Sequence, residues 1–347
     1  MEEKKIEAVD LFCGAGGLTA GLIKAGIKVK AGYDIEESCR YPYEINNSVP
    51  FINKDVHKVS KKELESHYSN NVIRLLAGCA PCQPFSTYNQ GKDVINDKKW
   101  PLLYTFAKLI REVKPELVTM ENVSDVTKHK VYHDFVRNLQ NLGYSIWAET
   151  VLCAEYGIPQ MRRRHVLLAS RIGTVSLLSP ITNKDNYISV KEAIGHLPSI
   201  KAGGKDPIDS LHFAAKLSEK NLSRIKASIP GGSWKDWPVE LQAECHKKQT
   251  GKTYLGVYGR MQWDKPAPTM TTQCYGFGNG RFGHPEQDRA ISLREAAIFQ
   301  TFPDDYQFFD SKKEIPKIGI IGQMIGNAVP VNLGYIIGLS FLNNHIV

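Results

Sequence analysis

Two cysteines in one short loop are the first sign of chemistry in this chain. Cys79 and Cys82 stand in the stretch AGCAPCQPFS, with Pro81 between them. Such a pair can form a redox dithiol, half of a zinc site, a loop that presents one nucleophilic thiol, or a structural proline-rich turn. The chain has no second C-x-x-C pair, which disfavours zinc, and a long α/β setting disfavours a thioredoxin-like centre. The nucleophile and the structural turn stay open on these residues alone.

A glycine-rich stretch, DLFCGAGG, follows a predicted strand and opens a predicted helix. Gly14 and Gly16 fit a dinucleotide fingerprint, but Thr19 occupies the third glycine position, so a general nucleoside pocket is favoured over a pyrophosphate loop. Asp34 ends the next predicted strand, where a carboxylate can accept hydrogen bonds from ribose hydroxyls. Asp55 follows a third strand and could reach an adenine amino group. The alternative is a glycine-rich turn without a ligand.

An acid and two arginines follow further predicted strands. Glu121 lies in MENV at the carboxyl end of a strand, which is where α/β sheets place their ligands. Arg162 and Arg164 alternate along a later predicted strand, so both side chains are expected on one face, with Arg163 on the other. Two guanidiniums on one face could bind anionic groups. The alternatives are an ordinary exposed acid and a solvated basic edge.

Alternating strands and helices must position these residues. Up to about residue 171 the pattern predicts an α/β fold with a mostly parallel sheet covered on both faces. From about 180 to 280 the chain is rich in Gly, Pro, Ser and Lys, which indicates a second, smaller domain. Helical spacing returns at 292–302 and 331–342, and the last helix is expected to pack on the first domain.

Composition limits the class of protein. The chain has 347 residues, 42% of them hydrophobic, a net charge of +8 and seven cysteines. An odd number of scattered cysteines disfavours a disulfide framework, and no apolar run predicts a membrane span. The charged N-terminus lacks the apolar core of a secretory signal, so we expect a cytoplasmic protein. The basic excess permits a polyanionic partner.

Six stretches together resemble the cytosine-C5 DNA methyltransferase family of bacterial modification enzymes. The resemblance covers about 1–170 and 260–347. The stretches that carry it are DLFCGAGG, GCAPCQPFS, MENV, QMRRRH, SLREAAIFQTFPDDY and IGNAVP, in that order. It implies a Rossmann-like, S-adenosylmethionine-dependent methyltransferase sheet with a target-recognition domain. The division it predicts is catalytic domain 1–178, target-recognition domain 179–285 and a return to the catalytic domain over 286–347.

The resemblance also implies a mechanism. Cys82 would add as a thiolate to carbon 6 of a cytosine and thereby make carbon 5 nucleophilic toward the sulfonium methyl of S-adenosylmethionine. Glu121 would hold or donate a proton at ring nitrogen 3, and Asn122 would help to orient the loop. Arg162 and Arg164 would bind the cytosine oxygen and phosphate. The base that removes the carbon-5 proton is not identifiable from the sequence.

The cofactor contacts come from the same resemblance. They are Phe12, Gly14, Ala15, Gly17, Asp34, Ile35, Asp55, Val56, Pro81, Leu102, Asn327 and Val329. The chain departs from the family at two places. Cys79-Ala80 stands where Gly-Pro or Gly-Phe is usual, so Cys79 is predicted to be a packed spectator. Ile35 stands where the family has an aromatic residue. Its aliphatic side chain could still pack on one face of adenine, with weaker stacking.

The expected partner is double-stranded DNA with the target base flipped out of the helix. Gln83, Ser86 and Arg162 are the predicted DNA contacts. Residues 201–270 carry 12 Lys+Arg against 7 Asp+Glu, a local net of +5, and could anchor phosphates. Three tryptophans in this region, Trp234, Trp237 and Trp263, are expected to form the small domain's core rather than to stack on DNA.

Other functions remain open from sequence. A related enzyme could methylate transfer RNA, a non-catalytic DNA binder could keep the pocket, and a nucleotide-dependent oxidoreductase could use the cysteine pair. The expected setting is a restriction–modification system with a cognate endonuclease as genetic partner, no metal, no membrane and a monomeric enzyme. The recognition sequence cannot be read from the chain.

Overall fold

The chain divides into two compact units in a computed structural model, which describes residues 5–81, 100–248, 253 and 255–345. Each unit is built from separate stretches of the chain. The first unit contains residues 1–156, 163–181 and 328–347, and the second contains 157–162 and 182–327. Residues 286–327 therefore cluster with the second unit, whereas the predicted division assigned them to the catalytic domain. Apolar spacing shows that such a segment is buried but not which unit buries it.

The first unit is built on a seven-stranded sheet in the order β3-β2-β1-β4-β5-β7-β6. Neighbours from β3 to β5 pair in parallel, while β7 is antiparallel to both β5 and β6. The predicted mostly parallel, Rossmann-like sheet is thus confirmed. The strands are β1 Ile6–Leu11, β2 Lys28–Asp34, β3 Phe51–Asn53, β4 Ile73–Gly78, β5 Leu117–Asn122, β6 Ser145–Leu152 and β7 Arg163–Ser170.

Eleven helices are found in the described part of the chain. Those of the first unit are α1 Gly17–Lys24, α2 Arg40–Asn47, α3 Lys61–Glu65, α4 Trp100–Val113, α5 Lys130–Asn141 and α11 Val331–His345. Those of the second unit are shorter on average: α6 Val190–Ile194, α7 Glu219–Ala227, α8 Glu244–Lys247, α9 Leu293–Phe299 and α10 Ile318–Asn327.

The central strands of the first unit are rich in apolar residues because both faces of the sheet are buried there. Every residue of β1 is buried, as expected for a parallel strand with helices on either side. On α4 an apolar stripe of Leu103, Phe106, Leu109 and Ile110 is buried, and Phe106 packs against Phe135 of α5 with ring centroids 5.5 Å apart. Burying a phenylalanine fully contributes about 1.5–3 kcal/mol, so this stripe fixes α4 on the sheet.

Two glycines of α1 allow the last helix to approach closely. A Cβ atom on Gly17 would lie 2.3 Å from the Val329 carbonyl oxygen, and one on Gly21 would lie 2.4 Å from the Val331 oxygen. No side chain fits at either position. Helix α11 therefore packs on α1 within the first unit, as the sequence predicted.

The second unit has few regular elements and a small aromatic core. Trp234, Trp237 and Phe277 are buried together with Ile225 and Ala290. The indole nitrogen of Trp237 donates to Ser228 Oγ at 2.9 Å. Trp234 and Trp237 are therefore core residues of the second unit, as predicted from the sequence.

One stretch, Ile318–Asn344, has the length and apolar composition of a membrane span, and 67% of its most apolar window is buried in the protein. It comprises α10 and α11, with Pro330 between them. Burial of this kind is typical of core helices, so the stretch is weak evidence for a membrane.

Candidate active site

The glycine-rich loop is tied to the end of β2. The amide of Gly14 donates to Asp34 Oδ2 at 2.8 Å, and the amide of Glu36 donates to Asp34 Oδ1 at 2.9 Å. Burial raises the pKa of Asp34, while these two hydrogen bonds act in the opposite direction. Each carboxylate oxygen has a second lone pair, so Asp34 can still accept hydroxyl donors.

Space and exposure around this loop suit a flat ligand. The Cβ position of Gly14, whose φ is +51°, meets no atom within 4 Å. Ile35 directly follows Asp34 and is 64% exposed, so its apolar side chain is accessible beside this carboxylate. Phe12 is half-buried in the same loop, and Pro81 is exposed.

The remaining predicted cofactor residues occupy three settings. Asp55 caps the turn after β3, where Oδ1 accepts from the His57 amide at 3.0 Å. Ala15, Gly17 and Val329 are buried, and Gly17 lies against Val329, whereas Asn327 is exposed at the end of α10 in the second unit. Val56 is buried in the core beneath the sheet, and Leu102 of α4 packs against the same core.

An ion pair joins the carboxyl end of β5 to β7. Arg164 Nε lies 2.9 Å from Glu121 Oε1, and both side chains are largely buried, with 14% and 8% exposed. The antiparallel register pairs Glu121 with Val166 and Asn122 with His165, which places Arg164 at the same edge. A largely buried guanidinium at this distance fixes the orientation of the carboxyl group.

Asn122 connects β5 to the cysteine loop. Its Nδ2 donates to the Ala80 carbonyl oxygen at 3.3 Å, and its Oδ1 accepts from the Val123 amide at 2.8 Å. Ala80 stands two positions before Cys82 in the sequence. Cys82, Gln83 and Ser86 lie outside the described residues, so their predicted roles remain predictions. Cys79 is half-buried and donates its amide to the Leu11 oxygen at 3.3 Å.

A buried histidine supports β7 next to the ion pair. His165 Nε2 lies 2.7 Å from the Tyr132 hydroxyl, and the two rings meet edge to face with centroids 4.9 Å apart. Burial lowers the pKa of His165 to about 4, so the imidazole is neutral near pH 7. His165 therefore adds no positive charge next to Arg164.

Arg162 is positioned differently from the prediction. Strand β7 begins at Arg163, so Arg162 lies one residue before the strand and not within it; Arg162 and Arg164 are the less exposed of the three arginines, and Arg163 is exposed. Arg162 belongs to the second unit and is 1% exposed. Its guanidinium donates to the Met270 oxygen at 2.8 Å and to the Gly326 oxygen at 3.2 Å. Local hydrogen bonds, and not the strand, set its orientation.

Comparison with known proteins decides the family. The family model for C-5 cytosine-specific DNA methylase matches residues 6–343 of this chain. The chain belongs to the C-5 cytosine-specific DNA methylase family. It is 50% identical over 335 residues to Type II methylase M.HgiDII of Herpetosiphon aurantiacus, covering 96% of this chain and 94% of that relative.

More distant relatives agree with this assignment. The chain is 31% identical to Type II methyltransferase M.Eco47II of Escherichia coli over 96% of this chain and 78% of that protein. A solved structure of a prophage-encoded DNA modification methyltransferase (E. coli) covers 98% of this methylase and 99% of its own chain, with a TM-score of 0.72. At 21% identity that structure supports the fold alone.

One group under the methylase's glycine-rich loop was not anticipated. Asp10 is fully buried near the end of β1, and its Oδ2 accepts from Thr19 Oγ1 at 2.7 Å. Thr19 in turn lies 3.0 Å from the Tyr43 hydroxyl. The available signals were an acid inside an apolar strand and a threonine in place of glycine. Nothing in the spacing of Asp10 and Thr19 indicates that the two side chains meet.

The described part of the chain contains no cluster of three or more His, Cys, Asp or Glu side chains that could hold a metal ion. The acids that could serve a methylase are instead tied individually to backbone amides, a threonine hydroxyl or an arginine.

Proposed function

We propose that the chain is a sequence-specific DNA (cytosine-5-)-methyltransferase of a restriction–modification system, acting on a cytosine flipped out of the duplex. The observation that carries the proposal is the buried Glu121–Arg164 pair beside Asn122, whose side chain holds the backbone just before Cys82. Membership of the methylase family and 50% identity to a Type II methylase support it.

S-adenosylmethionine is the proposed cofactor. Several features fit an adenosyl group: the open approach at Gly14, the acid Asp34 for ribose hydroxyls and the exposed apolar face of Ile35 for adenine. Asp55, at the end of β3, is the proposed partner of the adenine amino group. The other proposed contacts are Phe12, Ala15, Gly17, Val56, Pro81, Leu102, Asn327 and Val329. When bound, this cofactor supplies the methyl group.

The protein's own residues activate the cytosine. The Cys82 sulfur forms a bond to ring carbon 6, which makes carbon 5 nucleophilic, and the same bond breaks when the carbon-5 proton leaves. Glu121 stabilises a proton at ring nitrogen 3, because a fixed carboxylate there accepts a hydrogen bond from the protonated ring. Arg164 keeps that carboxylate in place, and Asn122 positions the loop.

The second unit is proposed to read the DNA. Basic residues would bind phosphates and polar side chains would read base edges, since phosphate contacts position a protein and base contacts specify the sequence. Arg162, Gln83 and Ser86 are the proposed individual contacts. The proposed setting is a monomeric cytoplasmic enzyme with a cognate restriction endonuclease as genetic partner.

Bisulfite sequencing of DNA treated with the protein and S-adenosylmethionine tests the activity. The expected result is 5-methylcytosine at one position of a short recurring sequence. Radiolabel transferred only to transfer RNA would refute the DNA substrate. Specific DNA binding without any label transfer would show a non-catalytic binder instead.

A duplex carrying 5-fluorocytosine at the target tests the nucleophile. Carbon 5 of this base has no proton to lose after methylation, so the bond to sulfur persists and a covalent protein–DNA adduct accumulates. Cys82→Ser should abolish the adduct while DNA binding survives. The matched control is Cys79→Ala, which should still form it. An adduct with Cys82→Ser would place the nucleophile elsewhere.

A further inference from the structure

Asp10 is a buried acid whose recorded interactions do not stabilise a negative charge. Its side chain is 0% exposed, and only Oδ2 has a hydrogen-bond partner, the hydroxyl of Thr19. Within the described residues, Oδ1 is buried without any hydrogen-bond partner. A buried carboxylate with one neutral donor is costly to ionise, because it loses water and gains no countercharge.

Three elements hold this carboxyl group in place. Asp10 lies in β1 and Thr19 in the first turns of α1, whose N-terminus forms the glycine-rich loop. Tyr43 of α2 approaches Thr19, and its ring packs so closely on Gly32 of β2 that a Cβ atom there would lie 2.2 Å away. The chain of hydroxyls therefore connects Asp10 to both the glycine-rich loop and the strand that ends at Asp34.

Among the residues that the structure describes, the groups recorded as acting on Asp10 provide no positive charge. Its partners across β2 and β4 are Gly32 and Ala77, which do not ionise. The titratable groups that act on it or respond to it electrostatically are Asp34 and Cys13, and both would be negative if charged. What this site lacks is a cation.

We propose that Asp10 is the countercharge for a cationic ligand of the glycine-rich loop, and that it releases its proton to solvent when S-adenosylmethionine binds there. This inference rests on the proposed function. The carboxylate would favour the positively charged sulfonium of the methyl donor over the demethylated product, S-adenosylhomocysteine, whose sulfur is neutral. Asp10 touches neither ligand in this proposal, so it is a positioning and selectivity residue.

The titration of Asp10 supports the proposal. Burial first, and then the charge of Asp34, raise its pKa to about 7, while the Thr19 hydrogen bond opposes them. A group with this pKa is about half protonated at pH 7, and a nearby cation lowers its pKa. Binding of the donor should therefore release about half a proton at pH 7 and tighten up to about tenfold between pH 6 and pH 8.

Isothermal titration calorimetry of the full chain measures this directly. Donor and product are each titrated at pH 7 in phosphate and in Tris, whose different ionisation heats report the protons exchanged. The sulfonium lowers the pKa of the donor's α-amino group relative to the product's, so that group's own titration is removed by subtracting the same donor–product difference measured with Asp10→Asn. After this subtraction, the expected difference is about half a proton more released with the donor.

Asp10→Asn is the decisive variant, because it keeps an acceptor for Thr19 but cannot ionise. It should lose the extra proton release, and its preference for the donor should no longer vary with pH. Thr19→Ser, which keeps the hydroxyl, and Asp134→Asn, an acid of α5 exchanged as a control, should behave as the wild type.

Equal proton release for both ligands in the wild-type protein would overturn the proposal. Unchanged proton release in a folded Asp10→Asn protein would also overturn it. If neither ligand binds at any pH, the proposed function itself fails, which is a different outcome from binding without proton release.

Discussion

The two units satisfy their buried backbone in different ways. In the first unit, the backbones of β1 to β7 pair with one another in the sheet, and the acids Glu121 and Asp34 lie at the carboxyl ends of their strands. In the second, buried arginines take over much of this work. Arg260 alone donates to the carbonyl oxygens of Ile225, Ser228, His284 and Gln287 at 2.7 to 3.1 Å.

This difference determines whether the charged side chains of each unit serve chemistry or stabilise the fold. Buried carbonyl groups need donors, and a unit with few strands must find them in side chains. Arginine suits this role because its five donors lie in one rigid plane. Charge in the first unit is therefore available for chemistry, whereas much of the buried positive charge in the second unit holds loops together. Counting basic residues there overstates what can contact DNA.

Glu121→Gln should give the largest effect on activity. It preserves the shape of the side chain and removes the carboxylate that we propose stabilises a protonated cytosine ring, so kcat should fall about 10²–10⁴-fold. Methyl transfer to DNA under saturating substrate measures this, with thermal unfolding as a check on the fold. If the fall in kcat were matched by a comparable loss of stability, Glu121 would be a structural residue like those of the second unit.

Arg260→Met should give the largest effect on stability. It leaves several buried carbonyls and Asp288 without their donor, which should cost about 3 kcal/mol. Hydrogen exchange should rise in peptides from 225–228 and 284–288 more than in β1 or β5. The matched control is Arg163→Met, an exposed arginine on β7, which should change stability by less than about 0.5 kcal/mol. Equal effects of the two variants would remove the distinction between the units.

A buried neutral histidine in each unit predicts a shared response to acid. Burial lowers the pKa of both His165 and His284 to about 4. The unfolded chain, with a histidine pKa of about 6.5, then binds more protons, so stability falls as the pH drops from 6.5 toward 4. At pH 5.5 each histidine should reduce the free energy of unfolding by about 1 kcal/mol.

Protonation of His284 should destabilise the second unit specifically, which separates its acid response from that of the first unit. His284 Nδ1 accepts from the amides of Glu286 and Gln287, so its protonation breaks two loop hydrogen bonds. His284→Asn keeps an acceptor and should remove the acid response from exchange in the second unit only. His133→Asn, an exposed exchange on α5, should leave both units unchanged. An acid response confined to one unit in the wild type would contradict the prediction.

Sequence periodicity predicts the first unit well because parallel strands are read as continuous apolar runs. The strand ends at Asp34 and Glu121 follow directly, and so does the return of α11. What could not be predicted depends on side-chain pairs distant in sequence: Asp10 with Thr19, Arg162 with Met270, and Arg260 with four carbonyls. The sequence around a lone arginine in a loop is the same whether the side chain faces solvent or is buried. The arginine hydrogen bonds that stabilise the second unit could therefore not be predicted.

The smallest expected effect concerns Ile35, the aliphatic residue where the family usually has an aromatic one. Because this side chain is 64% exposed, Ile35→Trp should leave the free energy of unfolding within about 0.5 kcal/mol of the wild type. Stacking of a large aromatic ring on adenine is worth about 0.5–1.5 kcal/mol, so S-adenosylmethionine should bind about two- to tenfold more tightly. Calorimetric titration measures the change, and Ile35→Ala should move the affinity the other way. If Ile35→Trp instead destabilised the fold without improving binding, Ile35 would serve the packing of β2, and the first unit would resemble the second in using its loop residues for support.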